Sequence, residues 1–231
     1  MSSSAPLATW KSVSPENKSV LIIDDHPIFR FGLSQLIGSI DGFAVCGEAS
    51  NAHTALQAVE RFRPDIALVD VAMPGTNGID VIKSLLMQHP SLLVLMISLH
   101  DEAIYALRAL RAGAKGYMMK DEALSTVVTA LQKIVDGGIY VSPKLSERLV
   151  FRAIHGGESN LATPMDRLSD RELEVLQLLG RGSNTRGIAS QLNLGIKTVE
   201  THRAHLKKKL GFLHQDELVK FASEWQSAQM N

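Results

Sequence analysis

Short apolar runs alternate with amphipathic stretches between residues 19 and 139. The apolar runs occupy residues 20–23, 43–46, 66–69, 92–97 and 116–119. The amphipathic stretches have the helical period and occupy residues 28–40, 52–62, 79–88, 102–112 and 122–135. Five strands that alternate with five helices predict a doubly wound α/β fold with a five-stranded parallel sheet. The third and fourth runs are apolar throughout, as expected for strands that are covered on both faces.

The pattern changes after residue 139. Residues 143–155 predict one connecting helix, and the polar, turn-forming residues 156–160 predict a hinge. From residue 168 the strand pattern is absent, and four helices are predicted at about 170–180, 184–191, 196–210 and 214–226. We therefore divide the chain into a flexible N-terminal extension (residues 1–18), an α/β domain (19–139), a linker with one helix (140–166) and a small all-α domain (167–231).

The charges are unevenly distributed between these domains, although the whole chain has a formal net charge of zero. Residues 17–140 carry ten Lys or Arg against thirteen Asp or Glu, whereas residues 167–231 carry ten against seven. An acidic half joined to a basic half fits a regulatory domain joined to a nucleic-acid reader. The single cysteine, Cys46, rules out an internal disulfide and a cysteine zinc cluster, and we interpret it as a small core residue. The polar N-terminus and the lack of an 18-residue apolar window predict a cytoplasmic protein with no membrane partner.

Polar side chains follow the predicted strands at the points where ligands bind to open parallel sheets. Asp24 and Asp25 follow the first strand, Asp70 the third, Ser98 the fourth and Lys120 the fifth. Because three unpaired carboxylates in one crevice repel each other, we expect a hard cation such as Mg²⁺ to bind there. One carboxylate could then accept a phosphoryl group as a nucleophile, with the lysine and the hydroxyl neutralising its charge.

Each of these residues also has a structural explanation when taken alone. Asp25 or His26 could cap the helix that begins at Pro27, and Asp70 could support the turn that follows it. Ser98 and Lys120 could be ordinary surface groups. The position of all five at strand ends favours a shared site over these separate explanations.

The first domain resembles the receiver domain of response regulators, which has a flavodoxin-like fold. The resemblance rests on the segments VLIIDDHP at 20–27, DVAMPGTNG at 70–78 and KGYMMKD at 115–121, together with Ser98. Two positions depart from the commonest pattern: Ser98 replaces a frequent threonine, and Asp121 replaces a frequent proline. The resemblance implies a phosphoacceptor, Asp70, and Mg²⁺ bound by Asp25, Asp70 and the backbone carbonyl of Ala72, with Asp24 acting through water. It also implies that Ser98 and Tyr117 form a switch pair and that Lys120 meets the phosphoryl group.

The all-α domain carries the signals of a helix-turn-helix. Ser169 and Glu172 form a capping box, and Asn184 can cap the second helix. The third helix, at 196–210, has a narrow apolar stripe and leaves one face free for the major groove of DNA. On this free face, lysines and threonines suit phosphate contacts, and Glu200 could accept a hydrogen bond from a cytosine amine.

Residues 168–222 resemble the LuxR-type helix-turn-helix, and the two domains together resemble a NarL/FixJ-type two-component response regulator. The motif residues are LSDRE at 168–172, Gly182, Ile188-Ala189, Leu192, TVETH at 198–202 and Lys209-Leu210-Gly211. The resemblance implies base contacts by Glu200, Thr201 and Ala204. It implies phosphate contacts by Arg186, Lys197, Thr198 and Lys208. Gly187 departs from the family pattern, which usually has Glu, and glycine inside a helix costs about 0.5–1 kcal/mol relative to alanine.

The expected function is phosphorylation-dependent control of DNA binding and transcription. The expected partners are a histidine kinase, double-stranded promoter DNA and, in the active state, a second copy of the chain. In the hypothesis, Tyr117 turns inward on phosphorylation, and a closed form in which the receiver covers the DNA helix gives way to an open or dimeric form. We expect no enzymatic activity beyond the receiver's own phosphoryl transfer and dephosphorylation. The alternatives are a phosphohydrolase, an electron-transfer flavoprotein and a DNA-binding regulator that works without phosphorylation.

Overall fold

The computed structural model describes residues 16–73, 76–122, 124–154 and 164–228. Its strands in chain order are β1 (Lys18–Ile23), β2 (Phe43–Ala49), β3 (Ile66–Asp70), β4 (Ala72–Met73), β5 (Thr76–Asn77), β6 (Leu93–Ser98) and β7 (Gly116–Met119). Five of them form a parallel sheet in the order β2-β1-β3-β6-β7. The predicted doubly wound α/β fold is therefore confirmed.

Helices cover both faces of the sheet. They are α1 (Pro27–Gly38), α2 (Ala52–Phe62), α3 (Gly78–Gln88), α4 (Glu102–Arg111) and α5 (Leu124–Val135). Alternate residues of β1 point to opposite faces, so Val20 and Ile22 pack with α1 and α5, whereas Leu21 and Ile23 pack with the helices on the other face. Two apolar layers thus enclose the sheet and hold the carboxyl ends of its strands at one edge.

Helix α6 (Pro143–Ile154) leads from the sheet to four further helices, as predicted. These are α7 (Asp170–Gly180), α8 (Thr185–Gln191), α9 (Ile196–Leu210) and α10 (Gln215–Ala228), with a short 3₁₀ helix at Pro164–Arg167. The predicted capping box is present, since Ser169 Oγ accepts from Glu172 N and a Glu172 carboxylate oxygen accepts from Ser169 N. Asn184 Oδ1 caps α8 by accepting from Gly187 N at 2.8 Å.

The structure differs from the sequence prediction in several places, and the predicted strand at 43–46 extends to Ala49 as β2. The two-residue strands β4 and β5 form an antiparallel hairpin after β3 that the apolar pattern did not predict. Helix α1 ends at Gly38 instead of residue 40, and β1 begins one residue before the predicted domain. The predicted hinge at 156–160 lies outside the described residues, as does most of the N-terminal extension.

Cys46 is buried in the core, as predicted, and burial raises the pKa of its thiol to about 11. Within the described ranges, every helix is too short or too polar to cross a membrane.

Candidate phosphorylation site and nucleic-acid interface

Three carboxylates meet at the carboxyl edge of the sheet. Asp24 and Asp25 follow β1, and Asp70 ends the neighbouring strand β3. One ligand atom from each, together with one from His26, lies within 4.8 Å of the others. Asp24 and Asp70 are almost completely buried, whereas the Asp25 side chain is 26% exposed. The strand ends therefore bring together the three acids that the sequence singled out.

The Lys120 ammonium neutralises the buried part of this cluster. Its Nζ lies 2.6 Å from Asp24 Oδ2 and 2.7 Å from Asp70 Oδ2. The Phe29 ring lies beneath the same ammonium, with its centroid 4.6 Å from Nζ, which is a cation–π contact. The predicted lysine therefore contacts the predicted phosphoacceptor directly, and its side chain is only 5% exposed.

The N-cap residue and the first turn of α1 supply two further groups that were not predicted to belong to the site. The His26 ring lies at the mouth of the cluster, with Nδ1 2.8 Å from Asp25 Oδ1 and 3.1 Å from Asp24 Oδ1. Arg30 Nη1 donates to the backbone oxygen of Asp24 at 2.6 Å, and its Nε donates to Glu48 Oε2 at 3.1 Å. Since Pro27 occupies the first helical position, α1 begins beside the acids and holds them in place.

The donor set fits a hard divalent cation. Asp25 Oδ1 is a buried oxygen whose close contact with His26 Nδ1, at 2.8 Å, lacks hydrogen-bond geometry, and its carboxylate lies beside those of Asp24 and Asp70. A buried carboxylate oxygen without a donor is costly, and cation binding would remove that cost. Ala72, whose backbone carbonyl the resemblance implies as a ligand, begins β4 directly after this edge.

A glycine controls the backbone at the predicted phosphoacceptor, Asp70. Gly78 begins α3, and its amide donates to the Val71 carbonyl at 2.8 Å. A Cβ at this position would lie 2.1 Å from the Asp70 carbonyl oxygen and 2.8 Å from Val71 Cα. Only glycine allows α3 to begin this close to the Asp70 backbone. The sequence does not reveal this role of Gly78, because a glycine before a helix also fits an ordinary loop.

The predicted switch residues are both buried. Ser98 ends β6, next to β3, and its Oγ accepts from His100 N at 2.9 Å. The Tyr117 ring is fully buried, and its hydroxyl donates to the His100 carbonyl at 2.6 Å. Burial is also the main cause that raises the pKa of Tyr117 above its usual range. The hypothesis of an inward turn of Tyr117 on phosphorylation does not describe this conformation, because the ring is already inside.

The candidate DNA-contacting side chains are all exposed. Val199 and Leu206 bury one stripe of α9 inside its own domain. The candidate residues lie on the opposite face of α9 and at the start of α8, where all of them are exposed to solvent: Arg186, Lys197, Thr198, Glu200, Thr201, Ala204 and Lys208. Arg203 instead turns inward and donates to Thr185 Oγ1 of α8 and to the Gln215 side-chain oxygen of α10. It therefore holds the three helices together.

The arrangement of the two domains is not the closed form expected from the sequence, in which the receiver covers the DNA helix. The receiver-like domain is hydrogen-bonded to α7: Arg108 Nη1 lies 2.8 Å from Asp170 Oδ1, and His100 Nδ1 lies 3.3 Å from Gln177 Nε2, whereas the candidate DNA-contacting residues of α9 are exposed. The face of α9 predicted to bind DNA is therefore open to solvent in this arrangement.

Comparisons with known proteins identify both domains. The family model described as response regulator receiver domain matches residues 20–132, and the one described as bacterial regulatory proteins, luxR family, matches residues 166–222. Response regulator GacA of Pseudomonas viridiflava is 32% identical over 203 residues, which are 88% of this chain and 94% of that protein. Oxygen regulatory protein NreC of Staphylococcus carnosus is 32% identical over 207 residues, which are 88% of this chain and 95% of that protein.

A similar solved structure is that of RcsB from Salmonella enterica serovar Typhimurium, bound to promoter rprA in the presence of the phosphomimetic BeF₃⁻. It has a TM-score of 0.65 and 27% identity, and the match covers 90% of this chain and 98% of that one. Both domains, in the same order, thus match known regulators along most of the chain. The chain belongs to the NarL/FixJ-type response regulators, transcription regulators that join a receiver domain to a LuxR-type DNA-binding domain.

Proposed function

We propose that this transcription regulator accepts a phosphoryl group on Asp70 from a histidine kinase and that the phosphoryl group controls its binding to promoter DNA. The observation that carries the proposal is the charge-balanced cluster around Asp70. Lys120 bridges the Asp70 and Asp24 carboxylates at 2.7 and 2.6 Å, and Asp25 lies beside them. Such an arrangement suits transfer of a phosphoryl group to a carboxylate, because a fixed positive charge already lies where negative charge will accumulate.

Mg²⁺ would be held by the carboxylates of Asp25 and Asp70 and by the Ala72 carbonyl, with Asp24 acting through water. When bound, the ion would neutralise charge on the transferred phosphoryl group.

The chain's own residues perform the remaining work of the transfer. A carboxylate oxygen of Asp70 forms the new bond to phosphorus while the phosphorus–nitrogen bond of the donor phosphohistidine breaks, and the imidazole keeps that electron pair. The Lys120 ammonium and the Ser98 hydroxyl then contact phosphoryl oxygens. Because Asp70 is only 3% exposed, a donor must deliver the phosphoryl group to the open edge of the sheet, where Asp25 and His26 lie.

The DNA-binding step uses the exposed face of α9. Glu200, Thr201 and Ala204 would meet base edges, whereas Arg186, Lys197, Thr198 and Lys208 would meet phosphates. We propose that a dimer binds two half-sites about one helical turn, or a multiple, apart. A cytoplasmic location accords with these partners, and any enzymatic activity would be limited to the receiver's own phosphoryl transfer and dephosphorylation.

A second candidate function is DNA binding without phosphorylation. The observation that favours it is that α9 presents its candidate DNA-contacting face to solvent while α7 is docked on the receiver, so that the domains need not separate before DNA binds. In that case, the receiver would serve only for protein contacts.

DNA binding by the full-length protein, with and without acetyl phosphate and Mg²⁺, separates the two functions. The proposal expects tighter binding after acetyl phosphate for the wild type and no change for Asp70→Asn. Asp41→Asn is the matched control, because it removes an exposed carboxylate between α1 and β2, at the edge of the sheet opposite the acidic cluster, and it should behave as the wild type. Equal binding by all samples would reject the phosphorylation switch and favour the second function.

A further inference from the structure

The DNA-binding domain packs against the receiver through α7. Asp170, the first residue of α7, lies between Lys83 Nζ of α3 at 3.1 Å and Arg108 Nη1 of α4 at 2.8 Å. Arg108 Nη2 also donates to the Met165 carbonyl at 2.7 Å. One apolar cluster is continuous from the α2–α4 side of the receiver into the second domain. The contact therefore combines a two-cation clamp with apolar burial.

The same helix reaches the edge of the phosphorylation site. A cavity of about 380 Å³ is lined on the receiver side by residues that include Asp25, His26 and Asn77, and on the α7 side by Glu174, Gln177 and Arg181, among others. Glu174 is paired with Arg171 at 2.6 Å. A phosphoryl group on Asp70 would thus lie close to the wall that α7 forms.

His100 connects this wall to the switch residues. Its backbone amide donates to Ser98 Oγ, its carbonyl accepts from the Tyr117 hydroxyl, and its ring faces Gln177 Nε2 at 3.3 Å. The ring also packs against buried Tyr105, at 5.1 Å between centroids. Burial, reinforced by Arg181 and Lys120, lowers the pKa of His100 to about 4, so the ring is neutral and Nδ1 can accept from the Gln177 amide.

Docking of α7 leaves the DNA-contacting face free. The seven candidate DNA-contacting residues are exposed while Asp170 and Gln177 are engaged by the receiver. An inhibitory contact would be expected to cover that face or to hold Tyr117 outside, and the structure shows neither arrangement.

We propose that docking of α7 supports the phosphorylated state: Gln177, as a positioning residue, holds His100 and thereby keeps Tyr117 buried and Ser98 in place beside Asp70. The inference rests on the proposed function of Asp70. By linkage, a contact that favours the phosphorylated conformation must also raise the affinity for a phosphoryl mimic, and its loss must lower that affinity. An inhibitory contact would have the opposite effect.

The test is a calorimetric titration of the full-length protein with beryllium fluoride in the presence of Mg²⁺. We expect Gln177→Leu and Arg108→Gln each to bind the mimic at least about fivefold more weakly than the wild type, a typical size for coupling between sites. Lys133→Gln is the control, because it removes an exposed cation of α5 on the opposite face of the sheet, and it should bind as the wild type does. Thermal unfolding would verify that each variant is folded. If Gln177→Leu does not fold, the affinity of Arg108→Gln for the mimic decides whether docking of α7 supports the phosphorylated state.

Two results would overturn the proposal. Unchanged or tighter binding of the mimic by the folded α7-contact variants would show that docking is neutral or inhibitory, while phosphorylation at Asp70 would still stand. Absence of binding by the wild type itself would overturn both this inference and the proposed function.

Discussion

Replacement of Gly78 by alanine tests how strictly the backbone positions Asp70, the proposed phosphoacceptor. A Cβ at this position would lie 2.1 Å from the Asp70 carbonyl oxygen and 2.8 Å from Val71 Cα, whereas real Cβ atoms essentially never approach closer than 3.0 Å. Both of these neighbours are backbone atoms, so side-chain rotation cannot relieve the overlap. The start of α3 and the Asp70 backbone must separate by roughly 1 Å, which is a form of overpacking.

The expected cost has two parts. Overpacking of this kind destabilises a protein by about 1–3 kcal/mol, which would lower the melting temperature of a domain of this size by roughly 2–4 °C per kcal/mol. A 1 Å displacement of a reacting group slows catalysis by about 10²-fold. We therefore expect Gly78→Ala to fold and to accept phosphate from acetyl phosphate up to about 10²-fold more slowly than the wild type.

The assay follows the rate of phosphorylation by intact-protein mass spectrometry, with thermal unfolding measured in parallel. Gly38→Ala is the matched control, because a Cβ at Gly38, the last residue of α1, has no atom within 4 Å. It should phosphorylate at the wild-type rate. A Gly78→Ala protein with wild-type rate and melting temperature would refute the argument that glycine is required beside Asp70.

Three further outcomes follow from the structure. Gly187→Ala should stabilise the DNA-binding domain by about 0.5–1 kcal/mol in thermal unfolding, because glycine is unfavourable inside a helix. The added Cβ would meet Asn184 Oδ1 at 3.4 Å and Ser183 Cβ at 4.0 Å, which are ordinary contacts, so a loss of stability would contradict the prediction. Lys120→Met should lower the free energy of unfolding by about 3–5 kcal/mol without Mg²⁺, because it removes the buried ammonium that lies between the Asp24 and Asp70 carboxylates. Mg²⁺ should restore more stability to this variant than to the wild type, and equal responses to Mg²⁺ would contradict the proposed metal site. Lys208→Ala should weaken DNA binding uniformly across sequences and reduce the log–log salt slope by about one, and an unchanged slope would mean that Lys208 makes no phosphate contact.

The sheet and its acidic edge could be predicted because both follow from short-range patterns. Parallel strands that are covered on both faces must be apolar, and their carboxyl ends must meet at one edge, so the order of polar residues after each run was sufficient to bring Asp24, Asp70 and Lys120 together. Phe29 and Arg30, which contact Lys120 and the Asp24 backbone, were not predicted to belong to the site, because in the sequence they fit the pattern of an ordinary amphipathic helix. Their roles depend on where the first turn of α1 lies relative to the site, which periodicity does not specify.

The interdomain contact left a signal in the sequence, although the signal does not identify the partner. Helix α7 buries Leu173 and Leu176 on one side and Val175 and Leu178 roughly half a turn away, which is more apolar surface than one helix face requires. Gln177 is also buried, although a glutamine on a small domain is normally expected at the surface. A helix that is apolar around most of its circumference must be covered from more than one direction, and the receiver supplies part of the cover of α7 beside the other helices of its own domain. Because the candidate DNA-contacting face of α9 is exposed while α7 is docked, the proposed phosphorylation of Asp70 would act on DNA binding through the position of α7 without first uncovering α9.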